Sequence, residues 1–154
     1  MDLAYFAYGS NLDQQQMTRR CPGHKVVGRG ALARHRLTFR GDGEDWGGAV
    51  ATIEPDPMNT VWGVVFLLGP EDLRVLDGYE GCRGLSDPTS LYDRRQVDVR
   101  LVSGQTVSAI AYVMRERAEG LPSRKYLGAI TRGASSHGLP VDYVEELAAR
   151  ATVD

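Results

Sequence analysis

The residues with the clearest capacity for chemistry are Tyr8-Gly9-Ser10-Asn11-Leu12 and, far along the chain, Glu80. The first group follows a short apolar run, Leu3 to Ala7, and precedes a helix-like stretch, Asp13 to Arg20. A strand that passes through a glycine turn into a helix gathers successive N–H groups at one point, and the first helical turn adds unpaired donors and a positive dipole end. Such a corner binds an anion or a developing oxyanion. The same residues can equally do no more than turn the chain, with Ser10 or Asn11 capping the helix. Glu80 lies in Asp77-Gly78-Tyr79-Glu80-Gly81, which reads as a glycine-bounded loop beyond a short helix. A carboxylate there is either a solvated loop acid or, when partly buried, a base able to move a proton. Tyr92 and Tyr126 have the same ambiguity between pocket wall and core packing.

Other chemistries find less support. Cys21-Pro22-Gly23-His24 has one ligand-like spacing, but no second pair follows, since His35, Cys82 and His137 stand singly, and no metal site is expected. Gly28-Arg29-Gly30 lacks the third glycine and the strand-to-helix setting of a dinucleotide fingerprint, so a bent strand is expected there. Ser10 lacks the flanking pattern of a nucleophile elbow, and nothing in the spacing of His35 or His137 recommends a triad.

The elements that must position these residues belong to a chain of 154 residues, most simply one domain spanning 1–154. Eighteen basic against 20 acidic side chains give no electrostatic reason to expect nucleic acid or an anionic membrane as partner. No apolar stretch approaches the roughly 18 residues of a membrane span, so a cytoplasmic protein with Cys21 and Cys82 as free thiols is expected. Val26 to Arg40 reads as a bent, half-buried strand. Gly48 to Glu54 and Val61 to Leu68 read as two strands, paired antiparallel through a hairpin loop at Pro55-Asp56-Pro57-Met58-Asn59. Pro70 opens a short helix with Leu73 and Leu76 facing inward, ending near Gly78. Val97, Val99 and Leu101 alternate with polar residues before a turn at Ser103-Gly104 and a strand from Thr106 to Met114. Ser123 caps a helix, and a final amphipathic helix follows Pro140. Strands with helices at the start, middle and end predict an α+β fold whose sheet curls around a cavity.

Taken together, these segments resemble the γ-glutamylcyclotransferase family. The resemblance rests on Tyr5-Phe6-Ala7-Tyr8-Gly9-Ser10-Asn11-Leu12, Gly48-Ala49-Val50-Ala51-Thr52-Ile53, Val61-Trp62-Gly63-Val64-Val65 and Glu80-Gly81. It continues through Tyr92-Asp93-Arg94, Leu121-Pro122-Ser123-Arg124-Lys125-Tyr126 and Gly138-Leu139-Pro140-Val141-Asp142-Tyr143. It implies a small, mixed, partly closed β-barrel with a few flanking helices, and a cofactor-independent, metal-free reaction. In that reaction the α-amine of a γ-glutamyl group attacks its own γ-carbonyl, giving 5-oxoproline and the released amine. The resemblance makes Glu80 the proton carrier. It places Tyr5, Phe6, Ala7, Tyr8, Gly9, Ser10 and Asn11 in the glutamyl pocket, has Tyr126 close that pocket, and sets Tyr92 nearby. The N–H groups of Gly9, Ser10 and Asn11 are left to hold either the α-carboxylate or the γ-oxyanion. The family also implies a homodimer. The segment Cys82 to Leu91 is longer than expected of the animal enzymes, which leaves the leaving group open between amino acids and the γ-glutamylamines of natural-product assembly. A non-catalytic ligand-binding module on the same fold is the remaining alternative.

Overall fold

A computed structural model describes residues 1–154. Five strands, β1 (Leu3–Ala7), β2 (Lys25–Gly43), β3 (Gly48–Leu68), β4 (Tyr92–Leu101) and β5 (Thr106–Met114), close into a barrel in the order β1-β3-β2-β4-β5. Four helices flank it: α1 (Gln14–Arg20), α2 (Pro70–Glu80), α3 (Arg124–Ser136) and α4 (Val141–Ala148). Alternating apolar residues of the strands and the inner faces of the helices form one cluster of 33 buried side chains. This is the expected α+β architecture. No helix is long and apolar enough to cross a membrane.

The hairpin predicted around Pro55–Asn59 does not exist. Gly48–Leu68 is one strand, and both of its halves pair with β2, as Leu37 with Ile53 and Ala31 with Trp62 show. Between the pairs Ala33–Thr60 and His35–Pro55 the register on β3 advances by five residues against two on β2. The surplus is a wide bulge. Asp56 stabilises it by accepting from the Met58 N–H at 2.9 Å and the Asn59 amide at 2.7 Å, while Arg34 opposite takes a φ of 61°. The prolines therefore mark an excursion within a strand, because a neighbour as long as β2 holds both flanks in one ladder. The turn that does reverse the chain is Glu44–Gly47.

Closure of the barrel is thin where the site forms. Strand β1 pairs with β3 only from Leu3–Leu68 to Ala7–Val64, and meets β5 in parallel at Tyr5–Ile110. Beyond Ala7 the chain leaves the sheet, so the edge of β3 facing away from β2 has no strand beside it from Gly48 to Ile53. The departing chain forms a 3₁₀ turn, Ser10–Leu12, before α1. The helix is capped by Asp13, whose carboxylate accepts from the Gln15 N–H at 3.1 Å. Ser10 and Asn11 are thereby free of capping duty.

The turn is seated on α3, where Gly133 lies so close to the backbone of Leu12 and Asp13 that a Cβ would overlap them. Gly133→Ala is expected to lower stability by about 1–3 kcal/mol, the usual scale of overpacking. Gly128→Ala on the same helix, where a Cβ would meet only the tip of Arg132 at 3.5 Å, is expected to gain up to about 1 kcal/mol from helix propensity. Equilibrium urea unfolding distinguishes the two; equal midpoints would show that the turn does not depend on α3.

Candidate active site

The gap between the end of β1 and the bare edge of β3 opens into a cavity of about 400 Å³. The Tyr8–Asn11 loop, Ala51 and Glu80 line it, and the β2–β3 turn contributes Trp46. Leu12 and Asp13 donate their N–H groups to the Gly9 and Ser10 carbonyls at 3.0 and 2.9 Å. That leaves the N–H groups of Gly9, Ser10 and Asn11 outside the turn's own hydrogen bonds. Gly9 has a φ of −110°, so a positive dihedral is not what requires glycine. Its service is room: a Cβ there would stand 3.5 Å from the Tyr126 hydroxyl and 3.6 Å from Ala51, filling the cavity floor.

Asn11 is the junction of the site. Its Nδ2 donates to the Tyr5 hydroxyl at 2.9 Å and to Glu80 Oε1 at 3.3 Å. Its Oδ1 accepts from Gln16 at 3.0 Å and from Arg20 at 3.2 Å. Both donors and both acceptor positions of the amide are used. Gln16 also donates to Ser10 Oγ at 2.7 Å. No histidine lines the cavity, and the group that meets Ser10 Oγ is the Gln16 amide, a donor that cannot take its proton.

Glu80 is not in a loop beyond the helix, as its sequence neighbours suggested, but the last residue of α2. Gly78 is accommodated inside the helix. The stop comes at Gly81, whose φ of 64° gives the left-handed cap, with the Cys82 N–H returning to the Asp77 carbonyl at 2.9 Å. The position of the helix end is fixed by Asp77, one turn earlier. It accepts from Arg94 Nε at 2.9 Å and from the Tyr112 hydroxyl at 2.6 Å, and the Tyr112 carbonyl in turn accepts from the Tyr8 hydroxyl. Burial pushes the Glu80 carboxyl up from its ordinary value near 4.5 to about 7. Arg20 and the Asn11 hydrogen bond draw it down, and Asp77 adds to the rise. The negative end of the α2 dipole acts in the same direction as burial.

The tyrosines serve as walls and ties. Tyr126 Oη accepts from the Ala51 N–H at 2.8 Å and Tyr92 donates to the Ala51 carbonyl at 2.7 Å, so two phenols satisfy the bare edge of β3 at Ala51. Burial raises the proton affinity of Tyr5, Tyr8, Tyr92 and Tyr126, with nearby Glu80 adding to the rise in each, which keeps these hydroxyls neutral.

Of the residues singled out in the sequence, Tyr5, Tyr8, Gly9, Ser10, Asn11, Glu80, Tyr92 and Tyr126 line the cavity. Phe6 and Ala7 do not. Both are wholly buried: Phe6 alternates to the opposite face of β1 from Tyr5, and Ala7 is too short to reach past its neighbours. Gln16, Arg20, Asp77, Tyr112 and Trp46 were not anticipated. Gln16 and Arg20 lie four residues apart on one face of α1, a spacing that shows them as a pair once the loop before them is taken as a site. Asp77 and Tyr112 meet only through the fold.

Residues 60–147, more than half of the chain, match the model of the AIG2-like family, which puts the chain in that class. Human γ-glutamylcyclotransferase is 32% identical over 149 residues, covering 94% of this chain and 77% of the human protein. The cattle γ-glutamylcyclotransferase is also 32% identical, covering 93% and 76%. A solved γ-glutamyl cyclotransferase superposes with a TM-score of 0.92 at 30% identity, covering the whole of this chain and 90% of that one. The chain belongs to the γ-glutamylcyclotransferase family.

The raised affinity of Glu80 has a thermodynamic cost. The folded protein holds this proton more tightly than the unfolded chain, so the stabilising contribution is complete below about pH 4.5 and lost as pH rises through about 7. The loss amounts to up to about 3 kcal/mol. Glu80→Gln cannot titrate and is expected to be more stable than wild type at pH 8, with the advantage vanishing below pH 5. Urea unfolding across that range measures it; a constant difference at all pH values would show that Glu80 is not the group responsible.

Proposed function

We infer that the protein is a γ-glutamylcyclotransferase acting on γ-glutamyl amino acids. The observation that carries this reading is a carboxyl with a proton affinity near neutrality, held by Asn11 at the end of a cavity whose floor is a loop of unoccupied N–H groups. The α-ammonium of the substrate gives a proton to Glu80, and the freed lone pair attacks the γ-carbonyl carbon of the same molecule. The oxyanion that forms needs donors, which the Gly9–Asn11 loop supplies. As the C–N bond breaks, the departing nitrogen takes a proton back. Over the whole reaction two protons leave the α-nitrogen and two reach the leaving nitrogen, and a group with an affinity of about 7 suits both directions of transfer.

Both reacting atoms belong to one ligand, so the protein's task is to hold the ring-closing conformer. Effective molarities of well-oriented intramolecular reactions reach about 10⁵–10⁸ M, which makes orientation a large part of the rate gain. Tyr5, Tyr8 and Tyr126 confine the glutamyl chain. The leaving side is bounded by Leu91, at the end of the Cys82–Leu91 loop. That loop is fastened, since Arg115 donates to the Asp87 carbonyl at 2.6 Å and to those of Gly84 and Leu85 at 3.2 Å while pairing with Asp93. A fixed wall there favours small leaving amino acids over intact glutathione. Free thiols at Cys21 and Cys82 are compatible with the reducing cytoplasm as the setting of the reaction.

Mass detection of 5-oxoproline from γ-glutamyl-alanine tests the reaction directly. The α-linked isomer and the N-acetyl derivative should release no alanine; comparable release from the N-acetyl compound would show hydrolysis in place of cyclisation. Glu80→Gln should lower kcat/KM by about two orders of magnitude or more. In the wild type kcat/KM should rise with pH and level off above about 7, as Glu80 ionises. Turnover of the Gln variant within a few-fold of wild type would remove Glu80 from the mechanism.

A further inference from the structure

Arg20 is a cation in the cavity wall that forms no ion pair with any carboxylate of the protein. It is half-buried at the end of α1, with its guanidinium carbon 4.4 Å from the centre of the Tyr79 ring. Only one of its five N–H donors is used within the protein, by Nη1 toward Asn11 Oδ1 at 3.2 Å. The other end of the same amide holds the Glu80 carboxyl, through Nδ2 and Oε1 at 3.3 Å. One side-chain amide therefore sets a guanidinium and a carboxylate side by side at the edge of the cavity.

An α-amino acid head group carries the complementary arrangement, an ammonium and a carboxylate on one carbon. Resting on the cyclotransfer reading above, we propose that Arg20 binds the α-carboxylate of the γ-glutamyl group and so seats its ammonium against Glu80. The α-carboxylate is attached to the carbon that bears the amine, whereas the carboxylate of the leaving amino acid lies across the scissile amide from it. An arginine tied to the residue that takes the amine's proton is therefore placed for the former. The planar fork gives two parallel charge-assisted hydrogen bonds to a carboxylate, with Tyr79 supporting its face. This assignment frees the N–H groups of Gly9, Ser10 and Asn11 for the γ-oxyanion. The α-carboxylate and the developing oxyanion then have separate receptors.

The test pairs a change in the enzyme with a change in the substrate, at pH 8.5. The substrates are γ-glutamyl-alanine and 4-aminobutanoyl-alanine, which lacks only the α-carboxylate and cyclises to pyrrolidin-2-one. Wild type should prefer γ-glutamyl-alanine by about 100-fold or more in kcat/KM. Arg20→Gln should lower kcat/KM for γ-glutamyl-alanine by a similar factor, mainly through KM, and lower it for 4-aminobutanoyl-alanine by at least ten-fold less, so that the preference between the two collapses. Arg20→Lys, which keeps the charge without the fork, should fall between. An equal loss on both substrates would overturn the assignment, because Arg20 would then act through Asn11 and Glu80 alone. Wild-type enzyme that turns over both compounds equally well would overturn it without any variant. Absence of 5-oxoproline from γ-glutamyl-alanine in wild type would instead overturn the cyclotransfer reading from which the proposal starts.

Discussion

Four hydrogen bonds converge on the Asn11 side chain, and they dictate its orientation. Gln16 and Arg20 can only donate through the atoms they present, so the carbonyl oxygen of the amide must face them and its nitrogen must face the Tyr5 hydroxyl and the Glu80 carboxyl. Turning the amide over would set donor against donor on one side and leave the carboxylate facing an oxygen on the other. An aspartate would do the second of these permanently. Because a buried amide with all its partners is costly to disturb, the loop after β1, helix α1 and the end of α2 are locked to one another through a single group. The cavity is the space this lock leaves open.

The environment of Glu80 is a balance of opposed influences. Burial, the end of a helix and a neighbouring aspartate raise its proton affinity, and a guanidinium and an amide hold it down. Removing the first set would lower its affinity for the proton, and removing the second would raise it. Asp77 belongs to both the mechanical and the electrostatic side of this balance. It anchors the last turn of α2 to Arg94 and Tyr112, and its charge adds to the rise at Glu80.

Much of the fold was legible because it follows local rules. The alternation Val97-Val99-Leu101 gave β4, Ser103-Gly104 gave the turn into β5, and Ser123 caps α3 by accepting from the Tyr126 N–H at 3.1 Å. The failures share one cause. Pro55 and Pro57 punctuate a chain locally, but whether they end a strand depends on what lies alongside, and the 19 residues of β2 bridge the interruption. Gly78 likewise resembles a helix stop until the left-handed cap at Gly81 is seen. At the site, Glu80 and the Tyr8–Asn11 loop stood out by type and setting. Asp77–Tyr112 and Arg20–Asn11–Glu80 did not, since contacts between residues 35 and 69 positions apart are made by the barrel and leave no local pattern. Phe6 was drawn into the site by the family resemblance, although the pleat turns it away.

The bare edge of β3 has a bearing on what the enzyme excludes. An exposed strand edge beside a cavity is an invitation to an extended peptide, which could add itself as a further strand. Here the N–H and carbonyl of Ala51 are already taken by Tyr126 and Tyr92, and the Ala49 N–H by the Leu121 carbonyl at 3.0 Å. The middle of that edge therefore has no main-chain group left to start a ladder. A polypeptide passing the mouth finds phenols at Ala51 where it would need backbone, and this works against the addition of a sixth strand beside the cavity.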